Sequence, residues 1–245
     1  MNLAGNTVLI TGGASGIGFA LAERFLKAGS QVAICGRRED KLAEAGQKLP
    51  GLKTFVCDIG AESDRQNLFY WVKDEVPQVN ILLNNAGIQR RVPYTEFEES
   101  WQEFQQEIAI NLEAPIHLSA LFIPHLQKQN NSAIINVTSG LAFVPLAQAP
   151  VYSATKAALH SFTLSLRYQL AKTNIKVIEI IPPAVQTDLG GPGLHTFGVP
   201  LPDFADAMMA GLASGQEEIG YGTSEISRMA SRQELEQVFN RMNPS

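Results

Sequence analysis

Six short runs of β-branched and other apolar residues recur along the chain: TVLIT (7–11), QVAIC (31–35), LKTFV (52–56), NILLN (80–84), AIINV (133–137) and IKVIEII (175–181). They are almost continuously apolar, as expected of strands covered on both faces, and segments such as 17–28 and 38–48 between them carry apolar residues at helical period. Strand and helix in alternation predict an α/β fold of Rossmann type, a doubly wound parallel sheet with helices on both faces. A further strand-like piece, EEIGYG (217–222), brings the expected sheet to about seven strands. With 245 residues and 45% hydrophobic content, the chain suits one large domain spanning 1–245 better than two small ones. No solenoid-length repeat or low-complexity tract argues otherwise.

Composition narrows the partners. A net charge of -5 gives no basic field for nucleic acid, and no dense Lys/Arg run suggests an anionic membrane. The opening MNLAGNTVLITGG lacks a basic region followed by a cleavable apolar stretch, and no run of about 18 uncharged apolar residues occurs. A soluble, cytoplasmic protein acting on small molecules is the expectation. Cys35 and Cys57 sit in strand-like runs and read as buried free thiols. His117, His125, His160 and His195 are scattered without metal-ligand spacing, so no metal is expected; of these only His195, in the candidate lid at 186–202, could touch substrate, and it reads rather as a surface residue.

Chemistry begins directly after the first strand, where TGGASGIG places Gly12, Gly16 and Gly18 at the opening of a helix, with Ser15 and Ile17 between them. Such glycines let backbone amides and the positive helix end approach a pyrophosphate. The spacing differs from Gly-x-Gly-x-x-Gly, and a plain tight turn is the alternative. About 20 residues on, where an NAD-binding chain would carry an acid for the ribose 2′-hydroxyl, stand Gly36, Arg37 and Arg38. Cations at a helix start oppose its dipole, so an added anion fits them, and a 2′-phosphate favours NADP(H), with NAD(H) possible. Arg37, directly after Gly36, is the stronger candidate; solvated charge is the alternative.

Two later features complete the reading from residues. In VYSATK, Tyr152 and Lys156 lie one helical turn apart on a helix starting near Pro150, where a lysine can hold a phenol poised to lose a proton. Residues 186–202, QTDLGGPGLHTFGVPLP, follow the sixth strand and form a candidate substrate lid. Beyond them, an extra helical tail is expected over 223–242. Ser231 to Glu234 has the form of a capping box before Leu235, Val238, Phe239 and Met242, an apolar stripe expected to pack on the body or a neighbouring subunit.

TGGASGIG (11–18), NNAG (84–87), Asn111 in AINLEAP, Ser139 in INVTSG and the Tyr152/Lys156 pair together resemble the compact single-domain branch of the short-chain dehydrogenases/reductases, over about residues 5–222. The text from NLEAPIHLSALFIPHL to VIEIIPPAVQTDL resembles more narrowly the DltE-like short-chain oxidoreductases. The resemblance implies hydride transfer between a nicotinamide and a carbonyl or secondary alcohol. Tyr152 would be the general acid and base, with Lys156, helped by the positive nicotinamide of the oxidised cofactor, lowering its pKa from the usual value of about 10 and also bonding the nicotinamide ribose. Ser139 would hold the substrate oxygen. Asn111 would hold a water linking Lys156 to solvent.

The resemblance also implies cofactor contacts from Asp58, Asn84, Ala86, Gly87, Val185 and Thr187. Alternatives stay open: Ser139 as a turn cap, Asn111 as a backbone partner, Asp58 as a helix N-cap. Pro183 stands where the family commonly has Gly, which fixes φ there and removes an amide donor.

Leu141, Phe143, Val144 and Leu146, with Leu189, Leu194, Phe197 and Val199 from the lid, predict an apolar lining for a ketone, aldehyde or secondary alcohol of modest polarity. Arg90 and Arg91 leave room for an anion at the entrance. An NAD-dependent alcohol dehydrogenase and a non-catalytic NADP-binding regulatory protein are the rival readings; no Gly-x-Ser-x-Gly elbow supports a hydrolase. A homodimer or homotetramer is expected from the resemblance, from the apolar helix 114–126 and from Phe162, Leu164 and Leu166.

Overall fold

The computed structural model describes residues 1–92, 94 and 101–244. Seven strands form one parallel sheet: β1 (Thr7–Thr11), β2 (Gln31–Gly36), β3 (Lys53–Val56), β4 (Ile81–Asn84), β5 (Ser132–Val137), β6 (Ile175–Ile181) and β7 (Glu218–Gly220). Their order is β3-β2-β1-β4-β5-β6-β7. The helices are α1 (Gly16–Lys27), α2 (Glu39–Lys48), α3 (Glu62–Glu75), α4 (Trp101–Ile108), α5 (Ala114–Leu126), α6 (Pro150–Leu170), α7 (Leu201–Ser214), α8 (Thr223–Met229) and α9 (Arg232–Met242).

The continuous apolar runs are explained by a core on each face. Val8 and Ile10 of β1 pack with Phe25 of α1 and Phe204 and Met208 of α7, whereas Leu9 between them packs with Leu68 and Val72 of α3 and Phe122 of α5. Period two thus assigns neighbours to opposite layers, each buried side chain contributing about 2 kcal/mol. The short edge strand β3 departs from this pattern. Lys53, Thr54 and Val56 are exposed, because an edge strand has a neighbour on one side only.

Beyond β6 the chain differs from expectation in two ways. The irregular segment stops at Pro200, and α7, which the sequence did not announce, starts at Leu201 with Pro202 in its first turn, where a missing N–H costs nothing. The tail resolves into α8 and α9, and the capping box forms at Ser231: its hydroxyl accepts from the Glu234 N–H (3.4 Å), and the Glu234 carboxylate accepts from the Ser231 N–H (2.7 Å). The expected stripe packs only in part, since Leu235 and Val238 are half-buried but Phe239 and Met242 are exposed.

Strand order reverses at β1, so that β2 lies on one side of it and β4 on the other. Loops after β1, β4, β5 and β6 meet over the carboxyl ends of the strands, and this is where a doubly wound sheet forms its crevice. Among the described residues no helix is long and apolar enough to cross a membrane. Both cysteines are buried and free.

Candidate active site

An open cleft of about 1900 Å³ runs over this end of the sheet. That exceeds the usual range of a small-ligand pocket and suits a dinucleotide with a second molecule. Gly12, Ser15, Gly16 and Ile17 line one end of it, with the amino terminus of α1 bearing no acidic residue in its first turn. The positive helix end is therefore not neutralised locally.

Two of the glycines answer to packing. Gly12 has φ +65°, and a Cβ there would lie 2.8 Å from Ala86 Cα; one at Gly18 would lie 2.5 Å from both Asn85 Nδ2 and Gly12 O. Asn85 Nδ2 donates to Thr11 O (3.0 Å) and Gly12 O (3.3 Å), and Thr11 Oγ1 accepts from the Asn85 and Ala86 N–H groups (3.0 Å each). Thr11 and Asn85 thus clamp the turn onto the loop after β4, a function the motif spacing alone did not separate from ligand approach. Ala86 and Gly87 line the cleft. Asn84 does not, its Nδ2 donating to Asn136 Oδ1 (2.9 Å) across to β5.

Arg37, Arg38 and Asp58 line the same end. Arg38 Nη2 donates to Ser15 Oγ (3.3 Å), bridging to the glycine-rich turn. Arg37 lies 3.8 Å from Asp58, both half-exposed, an ion pair worth under about 1 kcal/mol that leaves the guanidinium available. Asp58 is not the N-cap of α3, which is Ala61; instead its Oδ1 accepts from the Gly60 N–H (2.9 Å) in a local turn.

Across the cleft, Ser139 follows β5, while Tyr152 and Lys156 share one face of α6; all three are buried and line the cleft. Lys156 Nζ donates to Val137 O (2.8 Å) and sits 5.7 Å from the centre of the Tyr152 ring. Ser139 caps a short 3-10 turn, its Oγ accepting from the Leu141 N–H (3.1 Å), so the capping alternative is realised without removing the hydroxyl from the cleft. Asn111 lies in a π-helical turn, Ala109–Glu113, and holds the loop after β4. Its Oδ1 accepts from the Ile88 N–H (2.9 Å), and its Nδ2 donates to Ile88 O (2.8 Å) and Thr155 Oγ1 (3.3 Å). The backbone-partner alternative is therefore realised as well, with one lone pair of Oδ1 left over.

Among the protein's own groups, burial pushes the Tyr152 phenol up to about 12, a change the Ser139 hydroxyl opposes and the Glu107 charge reinforces. Burial lowers Lys156 to about 8, against the field of Glu107. Glu107, fully buried one turn before Asn111, went unnoticed in the sequence. The signal available was an acid at helical spacing from a candidate site residue.

The loop after β6 supplies the remaining wall. Pro182, Pro183, Val185 and Thr187 line the cleft, and a bridge between Val185 and Val199 ties the two ends of the irregular segment together. Pro183 is accommodated with no cis peptide bond. The lining is less uniform than expected. Leu141, Val144, Leu146, Leu189 and Phe197 face the cleft, but Phe143 packs on His160 at 4.8 Å and Val199 packs on the core.

His195 is 7% exposed and lines the cleft, so its reading as a surface residue is corrected. Gln89, Arg91 and, from α9, Val238, Arg241 and Met242 line it too. The end of α9 is fastened by Asn243, whose Oδ1 accepts from the Ala147 N–H (2.6 Å) and whose Nδ2 donates to Pro145 O (3.1 Å).

A family model described as short chain dehydrogenase matches residues 6–194. The chain is 47% identical over 248 residues to the uncharacterized oxidoreductase DltE of Bacillus subtilis, covering 99% of this chain and 98% of that protein. Among solved structures, a short chain dehydrogenase from Burkholderia cenocepacia in complex with NADP superposes with a TM-score of 0.84 at 27% identity, covering 98% of this chain and 99% of that one. A 3-ketoacyl-(acyl-carrier-protein) reductase from Brucella melitensis complexed with NADH gives 0.79 at 27% identity, covering 91% and 99%.

Proposed function

Since the chain belongs to the short-chain dehydrogenase family and is an NAD(P)-dependent enzyme of that family, we propose that it is an NADP(H)-preferring oxidoreductase acting on a carbonyl or secondary alcohol, with Tyr152 as its acid and base. The observation that carries this reading is the burial of Ser139, Tyr152 and Lys156 together on the wall facing the glycine-rich turn of a single cleft.

The residues present fit a nicotinamide dinucleotide. Gly12, Ser15, Gly16 and Ile17 would meet the pyrophosphate, Arg37 and Arg38 a 2′-phosphate, Asp58 the adenine, Ala86 and Gly87 the middle of the molecule, and Val185 and Thr187 the nicotinamide end. Asn84, behind the cleft, would act by supporting that loop, and Gly18 by keeping the turn tight. When bound, the nicotinamide supplies or takes up the hydride.

Near neutral pH a phenol with a pKa of about 12 keeps its proton, which suits Tyr152 to donate it to a carbonyl oxygen during reduction. The Ser139 hydroxyl holds that oxygen in place. Lys156, with a pKa of about 8, is mostly an ammonium at pH 7, and its charge steadies the phenolate left after transfer. Asn111 orders the loop beside Lys156 and offers a lone pair for a water through which the proton is replaced. The segment 186–200 serves as the substrate lid. We further read the chain as one domain that assembles into a homodimer or homotetramer in the cytoplasm, a setting consistent with two buried thiols and the absence of a membrane-spanning helix among the described residues.

Titration with NADPH and NADH, in the native protein and in Arg37→Ala and Arg38→Ala, tests the cofactor preference. Native binding should favour NADPH, and each substitution should weaken NADPH about tenfold while NADH changes little. An unaltered preference in both variants contradicts it.

A further inference from the structure

The substrate side of the cleft contains polar atoms that the fold leaves without partners. Arg91 Nε and His195 Nδ1 are buried without a hydrogen-bond partner among the described residues, and His195 is only 7% exposed. They come from two loops that touch. Gly190 of the lid sits against Gln89, where a Cβ would lie 3.1 Å from Gln89 O, and Arg91 Nη2 lies 3.5 Å from His195 Nε2. Buried polar groups are costly to leave unpaired, and those that persist in a native fold commonly await a ligand.

Neighbouring Arg90 is paired with Glu103 at 2.6 Å, whereas Arg91 makes no ion pair with the described residues. Burial, with the Arg91 charge adding to it, lowers the His195 pKa against the pull of the Leu189 and Thr187 backbone, so the imidazole is neutral near pH 7. With Nε2 accepting from Arg91, the neutral ring carries its hydrogen on Nδ1. The Arg91 charge and N–H donors from Arg91 and His195 then line the same stretch of the cleft. A singly charged, planar acceptor matches a guanidinium edge best.

We propose that the substrate carries a carboxylate, an oxo acid in the reductive direction and a hydroxy acid in the other, and that Arg91 binds this group with the His195 Nδ1–H as a second donor. The inference rests on the reductase reading above and takes up the anion for which Arg90 and Arg91 leave room in the sequence.

The test compares four- to eight-carbon oxo acids with their methyl esters, which keep the carbonyl and remove the charge. NADPH-dependent kcat/KM should favour acids over esters by about tenfold or more, and the ratio should collapse towards one in Arg91→Ala and recover only in part in Arg91→Lys. Equal use of acids and esters by the native enzyme, or an acid-to-ester ratio unchanged in Arg91→Ala, overturns the proposal while leaving the reductase reading in place. Calorimetric binding of the same acids and esters to the protein with NADP⁺ gives a readout independent of turnover. Acid-selective binding lost in Arg91→Ala with no turnover would uphold the carboxylate site and count against the reductase reading; unselective binding would overturn the site.

Discussion

Lys156 shows how one residue ties burial to pH dependence. Its pKa falls to about 8 because α6 and the end of β5 exclude water from its ammonium, leaving Val137 O as its hydrogen-bond acceptor. The charged form is present below that value and is lost as pH rises through it. Reduction kcat/KM should therefore fall above about pH 8, and in Lys156→Met this alkaline limb should vanish along with most of the activity; a profile flat to pH 10 in the native enzyme contradicts the assignment. Tyr152 and Lys156 were legible in the sequence because one helical turn relates them. The rise of the phenol pKa was not, since it depends on burial by distant elements and on Glu107, whose carboxylate reaches the pair only through the fold. Nor was the burial of His195, which meets Arg91 from a different loop.

At the level of elements, the π-helical turn between α4 and α5 is what brings Asn111 to Ile88, and Arg65 of α3 braces it. The buried Arg65 guanidinium donates to Ile59 O (2.7 Å), Glu113 (2.8 Å) and His117 Nδ1 (2.9 Å), joining three segments. Arg65→Met should cost about 3 kcal/mol in urea unfolding, as buried hydrogen bonds to a charge are lost together. A loss under about 1 kcal/mol would show that the brace is redundant. The strands and the first helices were readable from hydrophobic period to within two residues. The brace and α7 were not: an arginine in an amphipathic helix looks solvated until its partners are known, and α7 begins inside a Gly/Pro-rich stretch that resembles loop.

For the whole molecule, assembly is the open physical question that surface chemistry addresses. Of the residues expected to mediate it, Leu166 is buried and Phe162 packs against the core, whereas Leu164 of α6 and Ile116 of α5 are exposed, and so is Tyr168 of α6, which the sequence did not single out. Light scattering at micromolar protein should give a dimeric or tetrameric mass, reduced by Leu164→Asp with Tyr168→Asp; a native monomer contradicts the proposal. Most of the contacts proposed for the cofactor lie away from the Tyr152 hydroxyl, so its binding should survive the loss of that hydroxyl. The most direct measurement is NADPH oxidation at 340 nm over a panel of oxo acids, ketones and aldehydes, with NADPH affinity measured in parallel, for the native enzyme and Tyr152→Phe. The account predicts native turnover, a loss of at least about a hundredfold in the variant, and NADPH affinity unchanged within about threefold. Turnover that survives in Tyr152→Phe would contradict it.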